Sequence, residues 1–485
     1  MSGAKPRREH PVLAPTSALQ SPAPRVDTSG APHQGQRPDA EDESAAALPP
    51  PPAAAAVLDT LRRALGPQLD LLLRVADRAD AIGLHVFLVG GPVRDALLNR
   101  PVQDLDLLVH GEGGAARLGA ALAAHEGGDH VSFPAFLTAK WRPAAGGVLD
   151  LATARAESYP APGALPRVWA ARVEDDLIRR DFSVNAMAIA LNRGQRGALW
   201  DPHGGWPDLH RRWLRALHDG SWQDDPTRAL RAARFCERFG LELAPDTRPQ
   251  LQTLRHNDAL QHLGPERFGH ELDRIFREPA PERVLQRLAD WGLLGAISPL
   301  LSWEPRDRLA LRHALDDAAL RGVAPRLAAW LWLAAALPHD ERVSQLRRVP
   351  GDRHEQRRFA EGPARVDAAC EALAAAGADR GRAGRALRGL DAIELVWLGV
   401  RLGGDQAAST HARALLAWWW AGGREVRSAV TGDTLLAAGM RPGAHLRPAL
   451  DAALEEAWRG GDPSAQWSAA ARACAGEGPV GITSG

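Results

Sequence analysis

Between residues 57 and 81 the apolar side chains Leu58, Leu61, Leu65, Leu69, Leu72, Leu73, Val75 and Ala76 recur at helical spacing, which predicts one long amphipathic helix. The period then changes. Residues 84–89 (Leu-His-Val-Phe-Leu-Val) are short, largely apolar and partly β-branched, and they stop at Gly90-Gly91. That pattern predicts a buried strand ending in a tight turn, with a helix from Val93 to about Leu98. Alternation over residues 104–109 predicts a second strand, and Lys140-Trp141 and residues 148–151 predict two more. A helix is expected over about 115–125. The first folded region is therefore expected to be mixed α and β.

After about Asp201 the strand signals vanish, and helical patterns dominate from Pro226 onward, broken by Gly and Pro. The fold class expected is α+β: a head with a mixed sheet, then all-helical parts. The boundaries expected are 1–52 for a Pro/Ala-rich tail, 53–205 for the head, 206–300 and 301–429 for two helical domains, and 430–485 for a small helical unit. Residues 1–52 hold almost no large hydrophobes and close on a proline run at 49–52. Such a segment buries too little apolar area to offset its ordering entropy and is expected to be disordered.

Charge changes this picture little. The chain of 485 residues carries 59 Lys+Arg against 59 Asp+Glu, so any anion-binding surface has to be a local patch. Lys5 and Lys140 are the lysines; the remaining basic residues are arginines. A bias toward Ala, Arg, Gly and Pro runs through the whole sequence, so arginine abundance proves nothing by itself. Three cysteines far apart, Cys236, Cys370 and Cys474, suggest neither a disulfide framework nor a zinc site. No run of 18 or more apolar residues and no signal-peptide core is present, so a cytoplasmic protein without a membrane partner is expected.

Candidate chemistry begins at Gly90-Gly91-Pro92-Val93-Arg94. Glycines let a backbone approach phosphate closely, a helix start offers N–H groups, and Arg94 can neutralise a triphosphate. Asp104-Leu105-Asp106 follows. On a strand, residues i and i+2 share a face, and two adjacent carboxylates repel unless a cation lies between them. Hard divalent ions want such ligands, and two of them can serve phosphoryl transfer. A triphosphate anchor beside paired carboxylates is the arrangement that nucleotidyl transfer needs. Further on, Asp225, Arg228, Arg231 and Arg234 fall at i, i+3, i+6 and i+9 of a predicted helix and are expected to form a stripe.

The stretch from Phe87 to Val109 resembles the first motif of the nucleotidyltransferases that include bacterial CCA-adding enzymes and poly(A) polymerases. Residues 150–157 (Asp-Leu-Ala-Thr-Ala-Arg-Ala-Glu) resemble that family's strand bearing a further acid and an arginine. Residues 179–188 (Arg-Arg-Asp-Phe-Ser-Val-Asn-Ala-Met-Ala) resemble its most distinctive motif. Asp201-Pro-His-Gly-Gly with Asp208-Leu209 resembles its hinge. Asp224-Asp225-Pro-Thr-Arg228 resembles its nucleotide-selecting motif, and Glu266-Arg267 with Glu271-Leu272 matches a family helix. The resemblance spans about residues 57–300.

It implies a head, neck, body and tail architecture. Asp104 and Asp106 would bind two magnesium ions, with Asp150 as a third acid. Gly90, Gly91 and Arg94 would hold the triphosphate of CTP or ATP, with Arg155 near the sugar or phosphates. Asn185 would contact the sugar or order the metal site. Arg179, Arg180 and Asp181 would form an ion-pair network joining head to helices. Asp225 and Arg228 would read the base edge, and Arg231 and Arg234 would continue that surface. The partner implied is a tRNA acceptor stem and 3′ end, with no DNA expected. Addition of CMP, AMP or both to tRNA is the first expectation, favoured by the Asn185-Ala-Met-Ala ending. A poly(A) polymerase and a non-catalytic RNA-binding relative are the alternatives. Two departures from the family pattern stand out. Asp224 occupies a place usually held by Glu, and residues 158–166 form a proline-rich loop without charge, resembling members that add only part of the triplet.

Overall fold

A computed structural model of the chain describes residues 50–475 apart from 103, 159–166, 257–264, 297, 299–300, 302, 345–348, 350 and 404–408. The expected disordered tail and the proline-rich loop after Ser158 therefore lie almost wholly outside the described residues.

The single helix expected over 57–81 is two helices, α1 (Ala54–Leu65) and α2 (Pro67–Ala81), parted by Gly66 at φ 53°. Pro67 causes the break: it has no N–H for a continuing helix but suits a first helical turn. Strand β1 (His85–Val89), helix α3 (Gly91–Leu97), strand β2 (Asp106–His110) and helix α4 (Gly114–Glu126) follow. Then come strands β3 (Asp129–Phe133), β4 (Thr138–Arg142), β5 (Leu149–Thr153), β6 (Arg155–Ser158) and β7 (Arg167–Ala170), helix α5 (Val173–Ile178), and strands β8 (Ala188–Ala190) and β9 (Leu199–Trp200).

Seven of these strands form one mixed sheet in the order β3-β4-β5-β2-β1-β8-β9. β2 and β5 run parallel, with α4 in the chain between them, and the other neighbours are antiparallel. Alternation explains the long apolar run of β1. Val86 and Leu88 face a core with α2 and α4, whereas Phe87 and Val89 face a smaller cluster with Val173 and Leu177 of α5. Both faces of the central strands are thus covered. β6 and β7 form a separate hairpin.

The strand signals do not end at Asp201. After α6 (Gly205–Arg211), β10 (Trp213–Leu214) pairs in parallel with β11 (Glu242–Leu243), enclosing α7 (Ser221–Asp224) and α8 (Thr227–Phe239). Two-residue strands carry too few alternations to be seen as a period. Helix α9 (Arg248–His256) packs on α7, while α10 (Pro265–Phe276) and α11 (Pro281–Asp290) pack on α8 and lead into the remaining helices. These are α12 (Pro305–Leu320), α13 (Pro325–Ala335), α14 (His339–Ser344), α15 (Arg353–Ala376), α16 (Arg380–Leu387), α17 (Ala392–Gly403) and α18 (Ser409–Ala421). The last three, α19 (Gly432–Ala437), α20 (Leu446–Arg459) and α21 (Pro463–Ala475), share a small core of Val430, Leu435, Ala449, Ala453 and Ala470. Among the described residues no helix is long and apolar enough to cross a membrane, and none of the three cysteines forms a disulfide. Trp419 is core, edge-on to Trp458 at 5.7 Å. Trp420 lies under the guanidinium of Arg321 at 4.1 Å.

Candidate active site

A cleft of about 1470 Å³ opens between the sheet end of the α/β region and helices α8, α10 and α11. Gly90, Gly91, Arg94, Asp104, Asp106, Arg155, Arg179, Arg180, Asp181, Asn185, Asp225, Arg228, Arg231 and Arg234 all line it, as the motifs predict; Asp150 does not. Among the described residues twelve arginines and seven carboxylates face this space, so a molecule of zero net charge carries a concentrated positive site.

The Gly90 turn sits at φ 77°, a left-handed value that favours glycine. A side chain there would meet Arg180 Nη1 at 2.8 Å, so the arginine occupies the volume that Gly90 vacates. Asp106 opens β2, while Asp104 precedes the strand, so the two carboxylates are not the i and i+2 positions of one strand as the sequence suggested. They nonetheless share the cleft wall. Burial pushes the Asp106 carboxyl up; Arg180 opposes this, and the Asp104 and Asp150 charges add to it. Asp150 is Asp106's register partner on β5, which puts it on the same face. It is spent on Lys140, whose ammonium lies 2.8 Å away on β4.

The Arg179-Arg180-Asp181 network forms, with a hub the sequence reading missed. Asp176 of α5 is fully buried and accepts from Arg179 Nη2 at 2.7 Å and Arg180 Nη2 at 3.0 Å. Glu157 of β6 takes Arg179 Nη1 at 3.1 Å. The signal for Asp176 was its spacing of three and four residues ahead of two arginines. Asp181 accepts from Asn185 Nδ2 at 2.8 Å and from Arg231 Nε at 2.9 Å, tying the sheet region to α8. Burial alone would raise the Asp181 carboxyl, but Arg231 and Asn185 outweigh it and hold it below the usual range.

Arg94 is 6% exposed. It pairs with Asp95 at 2.8 Å, donates to Asn185 Oδ1, and lies over the Phe239 ring at 4.1 Å. The side chain expected to grip a triphosphate thus also packs α3 against α8. Arg155 donates to the Phe136 carbonyl, and burial lowers its pKa.

The expected stripe splits among partners. Asp225 precedes α8 and accepts from Thr227 N at 3.1 Å and from Arg267 of α10 at 3.0 Å. Arg228 donates to Ser221 Oγ at 2.6 Å and to the Arg179 carbonyl at 2.7 Å. Arg231 reaches Asp181 and, at 3.7 Å, Glu271, while Arg234 holds Glu278 at 3.2 Å. Spacing of three advances about 60° less than a full turn each time, so the positions wind around the helix. They meet in one cleft because α10 and the sheet wrap it from two sides.

The hinge motif is also built in. Asp201 accepts from Gly205 N at 2.7 Å and Trp206 N at 2.8 Å, capping α6. Buried Asp208 then takes Ser183 Oγ at 2.6 Å and Arg215 Nε at 3.0 Å, fixing the segment that carries Asn185.

Glycine turn, paired carboxylates and arginine-rich wall thus share one cleft. Residues 86–215 match the poly A polymerase head domain family, and residues 240–304 match the family described as the probable RNA and SrmB-binding site of polymerase A. These two matches place residues 86–215 and 240–304 alongside the polymerase A head and RNA-binding families. It is 40% identical over 242 residues to an A-adding tRNA nucleotidyltransferase of Halalkalibacterium halodurans, covering 48% of this chain and 55% of that protein. It is 38% identical over 235 residues to a CC-adding tRNA nucleotidyltransferase of Deinococcus radiodurans, covering 48% and 57%. The chain thus spans about half the length of these relatives. A solved CCA-adding enzyme without ligand is similar with a TM-score of 0.73 and 25% identity, over 84% of this chain and 95% of that one.

Proposed function

We propose that this protein transfers CMP, AMP or both from CTP and ATP to the 3′ end of tRNA, releasing pyrophosphate. The observation that supports this best is the single cleft joining Asp104 and Asp106 to Gly90, Gly91, Asp225 and Arg228. A-adding, CC-adding and multifunctional CCA proteins each resemble a little under half of the chain, which supports the tRNA reading over a general poly(A) polymerase.

Each group has a task in this reading. The arginine wall and the Gly90 turn bind the triphosphate, with Arg155 and Asn185 toward the sugar. Asp225 accepts from the exocyclic amine of cytosine or adenine, and Arg228 donates to the ring acceptor beside it; uracil and guanine present other patterns. The terminal ribose hydroxyl attacks the α-phosphate in line, opposite the departing pyrophosphate.

Asp104 and Asp106 fit a divalent cation. Both are carboxylates on the cleft wall, and burial together with the neighbouring Asp104 charge disfavours the ionised form of Asp106 until a cation arrives. Among the described residues no group of three metal-ligating side chains forms. A pair of carboxylates suits magnesium, which takes one or two and completes its shell with water and substrate phosphate. Bound there, magnesium would stabilise charge on the attacking and leaving oxygens.

The test uses purified protein with magnesium and three tRNAs: one lacking CCA, one ending in CC, one complete. Labelled CTP or ATP is supplied, and product length is read on a gel. Growth by C, by A or by both on the incomplete tRNAs alone supports the proposal. Long A tails on every RNA would replace it with the polymerase reading.

A further inference from the structure

We propose that Ser221 is a positioning residue for base selection, holding the Arg228 guanidinium toward the incoming nucleotide and away from Asp225. The inference rests on the reading of Asp225 and Arg228 as the base-facing pair.

An aspartate and an arginine three positions apart at a helix start ordinarily close on each other. Here they do not. The cationic partner of Asp225 is Arg267, at 3.0 Å, and Thr227 gives it two further hydrogen bonds, from N at 3.1 Å and Oγ1 at 2.6 Å. The Arg228 guanidinium turns the other way. Its Nη1 donates to Ser221 Oγ at 2.6 Å and to the Ser221 carbonyl at 3.3 Å, and its Nη2 donates to the Arg179 carbonyl at 2.7 Å.

Ser221 is 1% exposed and opens α7, where Trp222, also buried, packs beside it. Its hydroxyl therefore stands in a fixed place. A guanidinium has five N–H donors in a rigid fork. The three contacts use one edge of that fork and leave the Nε–H and one Nη2–H for a ring nitrogen or carbonyl. Arg228 still lines the cleft although it is 5% exposed, so its orientation is set by these buried acceptors, not by solvent. Loss of the hydroxyl frees Nη1. The guanidinium is then free to turn toward a carboxylate of the cleft, either Asp181, whose carboxyl already responds to the Arg228 charge, or Asp225 three positions back, and an Arg228–Asp225 pair would occupy both arms that face the base.

The experiment measures single-nucleotide incorporation of CTP, ATP, UTP and GTP into an incomplete tRNA by wild type, Ser221→Ala, Ser221→Cys and Ser221→Thr. CTP and ATP binding without tRNA is followed by calorimetry, and thermal melting monitors folding. For Ser221→Ala we expect KM and the nucleotide dissociation constant to rise about tenfold, the worth of one hydrogen bond to a charged group. We expect discrimination against UTP and GTP to narrow by a similar factor, with kcat little changed. Ser221→Cys keeps the volume with a weaker acceptor and should behave like Ser221→Ala, so the inference stays testable if the alanine variant folds poorly. Ser221→Thr keeps the hydroxyl and should restore selectivity.

Unchanged selectivity in Ser221→Ala or Ser221→Cys, with an active wild type, overturns the inference. Equal loss for all four nucleotides alongside a lower melting temperature also overturns it, because that marks a structural role only. A wild type that incorporates neither C nor A defeats instead the base-reading assignment, and the inference falls with it.

Discussion

At the scale of single residues the cleft divides its charges into those spent on architecture and those held for substrate. Arg231 belongs to the first group. It neutralises Asp181, a carboxylate 8% exposed, and no other arginine lies within ion-pair distance of Asp181 among the described residues. Removing one member of a buried pair strands the other, so Arg231→Ala should cost about 3 kcal/mol of stability in urea unfolding. A variant as stable as wild type would show that Asp181 finds another partner. In the proposed function Asp104 and Asp106 belong to the second group. Asp104→Ala and Asp106→Ala should each lower nucleotide incorporation at least about a hundredfold while leaving the melting temperature within a few degrees. Chelation of divalent ions should do the same to the wild type and be reversed by magnesium. Unchanged incorporation by either variant would remove the metal assignment.

The individual elements show which parts of the sequence were legible. β1 could be seen because its residues are buried on both sides, and α8 because Asp225-Pro226 marks its start. β3 could not: it is an edge strand whose residues are mostly exposed, so no alternation was selected into it. The β6–β7 hairpin was missed because its strands have four residues each. The cleft residues themselves were legible as motifs, but their partners were not. Asp176 carried a spacing signal that is visible only beside Arg179 and Arg180, Ser221 meets Arg228 through geometry that the folded chain supplies, and the Lys140 partner of Asp150 comes from a neighbouring strand.

Packing at α6 leads to a prediction. A β-carbon on Gly205 would sit 2.3 Å from the Ser183 carbonyl oxygen and 2.8 Å from Met187 Cγ. Neither can retreat without moving the Asn185 segment, so Gly205→Ala should lose about 2 kcal/mol or more, read as a lowered urea midpoint. Full stability would mean that α6 is less firmly seated than its contacts indicate. The same region is acid-sensitive. Burial holds His203 and His218 below their ordinary pKa. The folded form thus prefers them neutral. Their contribution is complete above the unfolded value of about 6.5 and is lost as pH falls below it. Stability should decline from pH 7 to 5, and the His203→Gln, His218→Gln double variant should flatten that decline. An unchanged slope would place the acid sensitivity elsewhere.

On the scale of the whole molecule, zero net charge and an arginine-rich cleft coexist because acids elsewhere balance the site. Attraction for RNA should then be local and strongly screened. If about four phosphates are engaged, tRNA affinity should fall roughly a hundredfold between 50 and 200 mM salt. A nearly flat salt dependence, measured by filter binding, would count against the cleft as the RNA-binding surface. The helices beyond α11 add candidate contacts less clearly. On α12, Arg306 is paired with Glu304 at 3.1 Å and Arg312 with Asp316, whereas Arg308 lines a second cleft of about 660 Å³.

The sheet order also governs how the chain emerges during synthesis. β1 receives one neighbour early, from β2, but its other neighbour β8 arrives much later; the bond from Val86 N to the Asn192 side chain closes a separation of 106 positions. At about 5–20 residues per second, the ribosome takes roughly 5–20 seconds to deliver that stretch. Throughout that interval the nascent chain carries a short apolar strand with one row of backbone hydrogen-bonding groups unanswered, a ready target for a chaperone or for another nascent chain.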